Sequence, residues 1–559
     1  MRSYDKEQPR VAIIGGGLAG ISTGIALKRQ LKYTNFLIYE KGSDVGGTWR
    51  DNTYPNCSSD IAGHWYSLSS DLNPNWSSYY ASQPEILAYW KGLVKKYSLH
   101  DNLVLNTRVV SAIWDDVTQK YRLLLRDEKT GAEREEFVEA IVTATGGVSK
   151  AAYPKDIADI DQFKGPMFHS SCWNHDVSLS GKRVGVIGNA ASAVQLIPRI
   201  SDDPTVEVIN FSRTANWFVS RGPNPVYPSW IKWTFSHVPF VMRAYRNYLG
   251  FKHELSYLIF VNSNKRIQRY ARKGMTKYLK ARAPKQYIEK LIPDYPPGCK
   301  RIVLNYGYLS ALHRPNVSLT WDAIDKIVPD GIIKKNGEMV PLDVIVFATG
   351  FEASFRENFQ GALRIDLTGR DKKTLEEYYV EHGGPTAYLG TTMPRFPNFF
   401  MLLGPNTATG HTSIIFSEEA QINYALQLLK PVIEKKVASF TVRATAADKY
   451  NELIQRRFIG SVFPSCASYY RSGMTGKHFA IFPGPIVLFW WWVRRPRWAD
   501  YEVRGGEAWI RERRRRTLLR TLGMALLLAG VAGASHPSTW DVLKTVSVVL
   551  LSMVQSLLK

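Results

Sequence analysis

The stretch that decides the fold lies near the N-terminus, where residues 11–20 read VAIIGGGLAG. The apolar run Val11–Ile14 has the composition of a strand that is buried on both faces of a parallel sheet. A Gly-x-Gly-x-x-Gly pattern follows at Gly15, Gly17 and Gly20, and a helix-forming stretch comes next. Glycines at these places allow a tight turn, a close approach of the backbone to a pyrophosphate, and close packing of helix on strand. The stretch predicts a dinucleotide-binding fold whose helix N-terminus faces the pyrophosphate.

An acidic residue indicates which dinucleotide this first fold takes. A second predicted strand, Phe36–Tyr39, ends in Glu40, twenty residues after Gly20. An acid at this place accepts hydrogen bonds from ribose hydroxyls and repels a 2′-phosphate, so the site favours the adenosine half of FAD or NAD. Strand, glycines, helix and spaced acid together are far more specific than the glycines alone.

A related pattern follows residue 182. The predicted strand Arg183–Ile187 leads into GNAASA at residues 188–193, with alanines at the second and third glycine positions. The next strand ends in Arg213 and Thr214 rather than in an acid, and an arginine there pairs with a 2′-phosphate. The second site therefore favours NADPH. The alternative is a degenerate repeat that binds nothing, because Ala190 crowds the pyrophosphate.

Two further apolar strands end in Ala-Thr-Gly, at residues 144–146 and 348–350, where the chain can cross between nucleotide domains. The expected fold class is α/β, with two Rossmann-like domains for FAD and NADPH and the second inserted into the first. The expected domains are 1–150 and 343–485 for FAD, 151–225 and 291–342 for NADPH, 226–290 for a helical insertion, and 486–559 for a basic and hydrophobic tail.

The composition excludes several classes of protein. The 559 residues are 45% hydrophobic, 12% aromatic and 22% charged, which excludes disorder, collagen and a small disulfide scaffold. Four cysteines, Cys57, Cys172, Cys299 and Cys466, form no Cys-x-x-Cys pair and lie far apart in the sequence. We therefore expect no metal site and no dithiol centre, but reduced thiols in a cytosolic setting. The charged N-terminal residues predict no secretory signal.

The formal net charge of +23 is concentrated in two segments. Residues 243–290 contain thirteen Lys and Arg against two acids, and residues 494–520 contain ten Arg against four acids. No nucleic-acid-binding motif accompanies either segment. The expected partner is therefore membrane phosphate or a polyphosphate cofactor rather than nucleic acid.

The C-terminal residues carry a second partner hypothesis. Three tryptophans, Trp490 to Trp492, precede the arginine-rich segment, and uncharged runs follow it at residues 521–540 and 545–558. The apolar part of each run spans about 20 Å as a helix, less than the ~30 Å of a bilayer core. Two alternatives stay open: an interfacial or marginally spanning anchor on the cytoplasmic side of a membrane, or a helix packed on the protein itself.

Two longer signatures make the sequence resemble the flavin-dependent class B monooxygenases, and among them the Baeyer–Villiger monooxygenases. The pattern FxGxxxHxxxW stands at residues 163–173 and includes His169 and Trp173. The pattern GxWxxxxYPxxxxD stands at residues 47–60. The resemblance covers about residues 8–485, and the two signatures together are highly specific.

Other positions extend or qualify this resemblance. Residues 298–301 match the family's segment before a strand near the flavin, and residues 389–406 match its late flavin-contacting stretch. Asn174 stands where the family usually has Pro or Asp, and Asn56 stands where it usually has Gly or Met. Relatives that oxygenate amines and sulfides more often carry Tyr or Phe in place of Trp173.

The resemblance implies an FAD-dependent, NADPH-consuming monooxygenase that inserts one oxygen atom from O2 next to a ketone carbonyl, giving an ester or lactone. Arg301 is the expected cation for the negative charge on activated oxygen, because a guanidinium stays charged at any working pH. Asp60 is expected to orient Arg301, and His169 to position the interdomain linker. The aromatic-rich residues 226–257 suggest a bulky apolar ketone of secondary metabolism, such as a polyketide, terpenoid or steroid.

The expected site residues fall into two sets. The expected catalytic residues are Arg301, Asp60, His169 and Trp173. The expected cofactor-binding residues are Gly15, Gly17, Leu18, Ala19, Gly20, Glu40, Thr48, Trp49, Asp60, Tyr66, Val109, Gly188, Asn189, Ala190, Ala191, Ser192, Ala193, Val194, Gln195, Arg213, Thr214, Lys300, Arg301 and Asn406.

Two rival functions stay open at this point. The same scaffold could oxygenate nitrogen or sulfur, in which case Arg301 and Asp60 matter less. The protein could also be a membrane-associated flavoprotein that no longer oxygenates, a possibility favoured only by Ala190 and Ala193. A structural interpretation also exists for the residues themselves, with Asp60 and Arg301 as a buried ion pair and Trp173 as a core aromatic.

Overall fold

The computed structural model describes residues 9–262, 264–352, 365–473 and 475–535. Its strands are β1 Val11–Ile14, β2 Phe36–Tyr39, β3 Leu103–Val104, β4 Thr107–Asp115, β5 Lys120–Asp127, β6 Glu133–Val138, β7 Ala140–Thr143, β8 Met167–His169, β9 Arg183–Ile187, β10 Glu207–Phe211, β11 Phe218–Ser220, β12 Val303–Asn305, β13 Val317–Thr320, β14 Ile324–Val328, β15 Gly331–Lys334, β16 Met339–Pro341, β17 Val344–Phe347, β18 Asp366–Thr368, β19 Phe399–Met401, β20 Ser439–Val442 and β21 Tyr501–Arg504.

The α-helices are α1 Leu18–Gln30, α2 Thr48–Asp51, α3 Gln83–Lys96, α4 Ala191–Ile200, α5 Ser229–His237, α6 Val241–Leu255, α7 Lys265–Arg282, α8 Ile288–Leu291, α9 Tyr308–Ala311, α10 Leu375–Glu381, α11 Ile414–Ile433, α12 Ala444–Ile459, α13 Ile486–Val493 and α14 Glu507–Ser535. Short 3₁₀ helices span Leu99–Asn102, Ile160–Gln162, Ser170–Cys172, Ser256–Phe260, Lys285–Tyr287, Arg370–Lys372, Phe463–Ser465 and Trp498–Asp500.

The first nucleotide fold is a five-stranded parallel sheet in the order β19-β7-β1-β2-β3. All four residues of β1 are buried, as its continuous apolar run predicts. Helix α1 starts at Leu18, directly after the glycine turn, and is buried from Leu18 to Leu27. The turn therefore lies at the carboxyl end of the central strand, which is where parallel sheets of this kind bind their ligands.

The second nucleotide fold is also a five-stranded parallel sheet, in the order β13-β10-β9-β17-β8. Strand β9 leads into helix α4 through residues 188–190, so the second glycine-like pattern occupies the same place as the first. The chain returns to the first fold afterwards, since β18 pairs with β4 and β19 pairs with β7. The predicted α/β class and the insertion of one nucleotide fold into the other are confirmed.

The domain boundary predicted at residue 343 is wrong. We placed Val344–Phe347 in the part of the chain that returns to the first domain, but this strand, β17, lies between β9 and β8 in the second sheet. Ile345 pairs with Gly185 on one side and with Met167 on the other. A four-residue apolar run fits any buried parallel strand, and only its pairing partners reveal the sheet to which it belongs.

Two smaller sheets, one mixed and one antiparallel, pack against the nucleotide folds. The sheet β18-β4-β5-β6 shares a hydrophobic cluster with residues of β1 and β2. The sheet β14-β15-β16 shares another cluster with residues of β9, β10 and β17. Each nucleotide sheet thus has one face covered by helices and the other by a smaller sheet.

The helical insertion packs on the segment that follows Asp60. Helices α5, α6, α7 and α8 make up most of residues 229–291. A Cβ added at Gly250 of α6 would lie 2.6 Å from the ring of Trp65, so this helix approaches the indole very closely. The guanidinium of Arg246 lies 4.5 Å from the centroid of the same ring. Because Trp65 is five residues from Asp60, the insertion contacts the predicted catalytic segment.

The first part of the predicted tail belongs to the fold. Strand β21 pairs with β20 in an antiparallel ladder, so the boundary expected at residue 485 is wrong. Trp509, early in α14, packs 5.5 Å from Phe440 and 5.1 Å from Trp498, measured between ring centroids. The pairing of β21 depends on a distant strand, which the sequence around residue 501 does not reveal.

The described residues bear on only part of the membrane-anchor hypothesis. Among the described residues, no helix combines the length and the apolar character needed to cross a bilayer. The first uncharged run lies mostly within α14, which ends at Ser535. The second run, at residues 545–558, lies outside the described residues.

The expectation of four reduced cysteines is wrong. Cys299 and Cys466 form a disulfide with a Cα–Cα distance of 6.1 Å, whereas Cys57 and Cys172 are free. The two half-cystines are 167 residues apart in sequence. They meet because the chain leaves the first domain for the second and then returns, a proximity that sequence spacing cannot show.

Candidate active site

At two of its three motif glycines, the first turn is packed too closely to accept a side chain. Gly15 has φ +111°, and its N–H donates to the carbonyl oxygen of Tyr39 over 2.8 Å. A Cβ at Gly15 would lie 2.5 Å from the carbonyl oxygen of Ala144, and one at Gly20 would lie 1.9 Å from that of Gly15. A Cβ at Gly17, by contrast, would meet nothing closer than 3.7 Å. The structure thus uses Gly15 and Gly20 for packing and leaves space beside Gly17, which fits a cradle for a pyrophosphate.

Glu40 lies over this turn as the sequence predicts. Its carboxylate accepts hydrogen bonds from the backbone N–H of Gly16 at 2.7 Å and of Gly42 at 2.8 Å. Arg50 also reaches this carboxylate at 3.2 Å, a contact that the sequence did not predict. Each carboxylate oxygen has two acceptor sites, so Glu40 keeps acceptor capacity for ribose hydroxyls.

The remaining predicted residues of the first site differ in how their side chains are used. Asn406 donates its amide to the carbonyl oxygens of His478 and Ile481 at 3.1 and 3.0 Å, so its side chain fixes a neighbouring loop. Val109 is buried in β4 beside a register shift. Thr48 begins α2, and Leu18 and Ala19 form the first turn of α1. Contact of these residues with FAD stays a prediction.

The second glycine-like turn repeats the first in part. Gly188 has φ +114°, and a Cβ there would lie 2.4 Å from the carbonyl oxygen of Ala348. Ala190 is the exposed N-cap of α4, and Ala193 is fully buried in its first turn. Asn189 donates its amide to Ser212 Oγ and to the carbonyl oxygen of Thr214, at 2.6 and 2.9 Å.

These contacts give the second turn a defined shape. The backbone N–H groups at the start of α4, from Ala191 to Ala193, precede the first intrahelical bond, which Val194 N–H makes to the carbonyl oxygen of Ala190, and form a helix N-terminus of the kind that binds phosphate. Ala193, at the third glycine position, is accommodated in the buried first turn of α4. Asn189 holds the loop after β10, which brings Arg213 and Thr214 beside the turn.

Two cations accompany that loop. Arg213 is largely exposed, with an ion pair to Asp156 at 3.5 Å. Lys300 lies with its Nζ 4.7 Å from the ring centroid of Tyr295. Burial lowers the pKa of Lys300, and the positive charge of Arg213 acts in the same direction. Two neighbouring cations that repel each other form a site for an anion such as the 2′-phosphate of NADPH.

The signature at residues 47–60 connects the two nucleotide folds. Gln195 of α4 accepts a hydrogen bond from Tyr54 Oη at 2.8 Å and donates to the carbonyl oxygen of Ser58 at 3.0 Å. Asn56 donates to the carbonyl oxygen of Gln195 at 3.1 Å. Asn56 has φ +64°, a conformation that asparagine tolerates better than most residues, which explains how it replaces the usual residue. Gln195, predicted to bind cofactor, therefore uses its side-chain amide for hydrogen bonds across the domain interface.

Asp60 and Arg301 are brought together although 241 residues separate them. The guanidinium of Arg301 donates to an Asp60 carboxylate oxygen, and the two side chains form an ion pair. The charge of Asp60 raises the pKa of Arg301 above its ordinary value. Half of the Arg301 side-chain surface is nevertheless exposed, so the cation lines an open cleft. Tyr469 and Tyr470 lie close enough to act on the same charge.

Trp49 and Tyr66 lie beside this pair. Trp49 Nε1 donates to Tyr66 Oη over 3.1 Å, and the two rings pack edge to face. Burial raises the pKa of Tyr66, and the nearby carboxyl groups of Glu418 and Asp60 act in the same direction. The charge of Arg301 also acts on Tyr66, so this aromatic pair lies beside the Arg301–Asp60 ion pair.

His169 ends β8, an edge strand of the second sheet, and Trp173 follows it by four residues. His169 is fully buried at the end of β8, and its Nδ1 accepts from the backbone N–H of Ser171 at 3.1 Å. Burial lowers the pKa of His169 to about 4, so the ring is neutral at neutral pH. Trp173 packs edge to face on Phe168. These contacts fit the linker-positioning role expected of His169, which stays a prediction.

One group near the site was missed by the sequence analysis. The guanidinium of Arg221 lies between two tyrosine rings, 4.2 Å from the centroid of Tyr306 and 4.9 Å from that of Tyr80. The negative charge of Asp60 acts on both of these tyrosines. Arg221 is thus a second cation on the Asp60 side of the cleft. No local pattern predicts it, because the three residues come from separate parts of the chain.

Two dinucleotide cradles whose helix N-termini flank one guanidinium–carboxylate pair define an enzyme that uses two nucleotide cofactors. The family model described as flavin-binding monooxygenase-like matches residues 8–360. A Baeyer-Villiger monooxygenase of Pseudomonas aeruginosa is 36% identical over 482 residues, which cover 85% of this chain and 88% of that protein. The chain belongs to the flavin-binding monooxygenase-like family.

Further relatives agree with this membership. A Baeyer-Villiger monooxygenase of Streptomyces coelicolor is 32% identical over 506 residues, covering 89% of this chain and 93% of that protein. The crystal structure of OTEMO in complex with FAD and NADP is similar at a TM-score of 0.75 and 25% identity, covering 89% of this chain and 99% of the other. The predicted family, enzyme class and cofactors, FAD and NADPH, are confirmed.

Proposed function

We propose that the protein catalyses a Baeyer–Villiger oxidation, inserting one oxygen atom from O2 next to the carbonyl of a ketone to give an ester or lactone. The observation that carries this proposal is the Arg301–Asp60 pair, a paired but half-exposed cation at the junction of the two nucleotide folds. The Baeyer-Villiger monooxygenases among the relatives support it.

The residues of the first cradle fit FAD. The turn from Gly15 to Gly20 and the start of α1 would hold the pyrophosphate, and Glu40 would hold the ribose. Trp49 and Tyr66 would flank the ring system. Bound flavin, once reduced by NADPH, supplies the chemistry that activates dioxygen.

Arg301 provides the electrostatics of oxygen transfer in this proposal. Its guanidinium remains protonated at every working pH, and Asp60 strengthens that preference. A fixed cation facing the place where negative charge develops on oxygen stabilises the transition state by roughly 3–4 kcal/mol. Asp60 holds the guanidinium in one orientation, so this stabilisation requires little reorganisation.

The second cradle would position the nicotinamide cofactor. Arg213 and Lys300 would bind the 2′-phosphate, and the first turn of α4 would bind the pyrophosphate. Lys300 and Arg301 are adjacent in sequence. The segment that recognises NADPH therefore also carries the cation for oxygen transfer.

The aromatic residues of the helical insertion support the proposed substrate class. Its core contacts are aromatic: the ring of His64 lies 4.8–5.3 Å from those of Tyr227, Phe235 and Tyr245. Because His64 is four residues from Asp60, this largely aromatic cluster lies close to the reacting groups. A bulky apolar ketone, such as a polyketide, terpenoid or steroid, suits such aromatic surroundings.

The experiment is an NADPH-driven oxygenation by the purified, FAD-loaded enzyme with a panel of ketones, thioethers and amines. We expect oxygen uptake and a gain of one oxygen atom in the product, detected by mass spectrometry, for ketones. Oxygen transfer to sulfur or nitrogen alone would favour the rival N- or S-oxygenase. Absence of oxygen uptake with any substrate would favour a non-oxygenating flavoprotein.

We also propose that the C-terminal part of the chain contacts an anionic membrane surface. Trp490 and Trp491 are exposed on α13, and the guanidinium of Arg494 lies 3.2 Å from the ring centroid of Trp491. The arginine run at residues 513–516 lies in α14. Aromatic side chains beside clustered arginines are typical of interfacial anchors.

A vesicle-pelleting assay tests this proposal. We expect the full chain to pellet with phosphatidylserine vesicles, and both Trp490→Ser/Trp491→Ser and a chain ending at Arg513 to pellet less. That endpoint keeps β21 and the packed start of α14. Equal pelleting of all three proteins, or none with the full chain, would contradict the proposal.

A further inference from the structure

The disulfide between Cys299 and Cys466 joins the two nucleotide domains at the predicted catalytic cation. Cys299 is fully buried and directly precedes Lys300 and Arg301, on the segment that leads into β12. Cys466 follows the short helix Phe463–Ser465 in the part of the chain that has returned to the first domain. The bond therefore ties the Arg301 segment to the other domain.

The Arg301 segment has few other restraints on its backbone. Cys299 N–H donates to the carbonyl oxygen of Pro296 at 3.2 Å, and Val303 N–H donates to that of Trp217 at 2.9 Å. Between them, no backbone–backbone hydrogen bond involves the N–H groups of residues 300–302 in the described chain. The disulfide is thus the strongest single restraint beside the two cations.

The other half-cystine lies beside groups that face Arg301. Tyr469 and Tyr470, three and four residues after Cys466, act on the charge of Arg301. The carbonyl oxygen of Tyr470 accepts from Phe479 N–H at 3.1 Å, and Phe479 in turn accepts from the backbone N–H of Asn406. The tether consequently connects Arg301 to the loop that includes a predicted flavin-contacting residue.

We propose that the Cys299–Cys466 disulfide is a positioning element for catalysis, which holds Lys300 at the NADPH phosphate and Arg301 at the flavin. This inference rests on the proposed function. Domains joined by modest interfaces move relative to one another by default. A covalent link at residue 299 restricts that movement where a displacement of the cation matters most.

The bond also makes this position sensitive to redox conditions. Its formation takes two protons and two electrons from the two thiols, and hydrogen peroxide as oxidant is reduced to two waters. A dithiol reverses it: one thiolate attacks Cys466 sulfur, the more accessible one, and releases Cys299 as a thiolate that takes up a proton. The second thiol then closes the reductant's own disulfide and releases Cys466.

The first experiment compares the oxidised and reduced FAD-loaded enzyme. Non-reducing peptide mapping should find residues 299 and 466 linked. After treatment with dithiothreitol, we expect KM for NADPH to rise of the order of tenfold and electrons to be diverted from product to hydrogen peroxide. KM for NADH should stay unchanged, because NADH lacks the phosphate that Lys300 binds. Reoxidation should restore both values.

Variants separate positioning from general stability. Cys299→Ser, Cys466→Ser and the double variant should each reproduce the reduced enzyme, without additive effects and without a response to dithiothreitol. Cys172→Ser, which removes an exposed free thiol, should respond as the wild type does. If Cys299→Ser does not fold, Cys466→Ser and the reduced wild type carry the comparison.

Three results would overturn the proposal. These are free thiols at both positions in the purified enzyme, additive effects of the two serine variants, and a loss of thermal stability that leaves the NADPH-to-NADH preference and the peroxide yield unchanged. Failure of the proposed function is distinguishable. In that case the NADPH-to-NADH preference responds to reduction, but the oxidised enzyme oxygenates no ketone.

Discussion

Gly17 and Gly20 belong to one motif but meet different surroundings, so an alanine at each position tests a different physical claim. A Cβ at Gly17 would find its nearest atom at 3.7 Å, and the φ of −77° suits alanine. Loss of glycine at this helix N-cap costs no more than about 1 kcal/mol of unfolding free energy. A pyrophosphate over the same glycine would meet the methyl group, at a cost of about 1–3 kcal/mol. We therefore expect Gly17→Ala to weaken FAD binding roughly fivefold to 150-fold with little loss of stability.

Gly20→Ala should behave differently. Its Cβ would lie 1.9 Å from the carbonyl oxygen of Gly15, so backbone atoms must move. We expect the free energy of unfolding to fall by about 3 kcal/mol or more, with loss of FAD as a consequence. Gly92→Ala in α3 is the matched control, because nothing lies within 4 Å of its Cβ. It should keep FAD and gain up to about 1 kcal/mol of stability.

Two measurements on each glycine variant test these predictions. Flavin fluorescence titration of the FAD-free protein gives the dissociation constant for FAD, and urea unfolding of the same protein gives its stability. If Gly17→Ala binds FAD as tightly as the wild type, the pyrophosphate does not pass over this glycine and the cradle is misassigned. If Gly20→Ala unfolds at the wild-type urea concentration, the packing argument is wrong.

Three other predictions concern the second cradle, a buried acid and the insertion. Arg213→Ala should raise KM for NADPH roughly tenfold to 100-fold and leave KM for NADH unchanged, because a charge-assisted bond to the 2′-phosphate is lost; equal changes for both cofactors in steady-state kinetics would contradict this. Burial raises the pKa of Glu418 from 4.5 to about 8, so its contribution to stability is complete below the ordinary pKa and is lost as the pH rises through about 8. Glu418→Gln should flatten this pH dependence in urea unfolding between pH 5 and 9, and an unchanged slope would count against it. Gly250→Val should loosen the insertion from Trp65 and speed limited proteolysis within residues 226–290, whereas an unchanged cleavage rate would refute the close packing.

The parts of the fold that the sequence predicts are those with local signals. The turn from Gly15 to Gly20 and the acid at Glu40 lie at fixed distances along the chain, because one strand, one turn and one helix build the cradle. The same holds for the second turn around Gly188. Both cradles can therefore be predicted from local sequence alone.

The features that sequence analysis misplaced depend on distant partners. Strand β17 belongs to the second sheet because of its neighbours β9 and β8, and a four-residue apolar run contains no information about neighbours. Strand β21 joins the fold through β20 for the same reason. The pairing of Cys299 with Cys466 requires the chain to return across a domain boundary, which no spacing rule detects.

The candidate active site could be predicted from the sequence only in part. Asp60 and Arg301 were singled out through family resemblance and not through spacing, and the structure places them in contact. Arg221 could not be found in this way, because its environment is formed by Tyr80 and Tyr306 from other segments. Gln195 was assigned to cofactor from its position in the turn, whereas its amide bridges the domains. Position along a motif thus predicts the turn in which a residue lies better than it predicts the contacts of its side chain.

The central claim is that the cation of Arg301 directs activated oxygen to the ketone. The most direct test compares Arg301→Ala with the wild type by measuring ester formation, hydrogen peroxide release and NADPH oxidation in one reaction. We predict that the variant keeps FAD and oxidises NADPH, but that ester formation falls roughly 100-fold to 1,000-fold and the electrons appear in hydrogen peroxide. Ester formation at close to the wild-type rate would contradict the account.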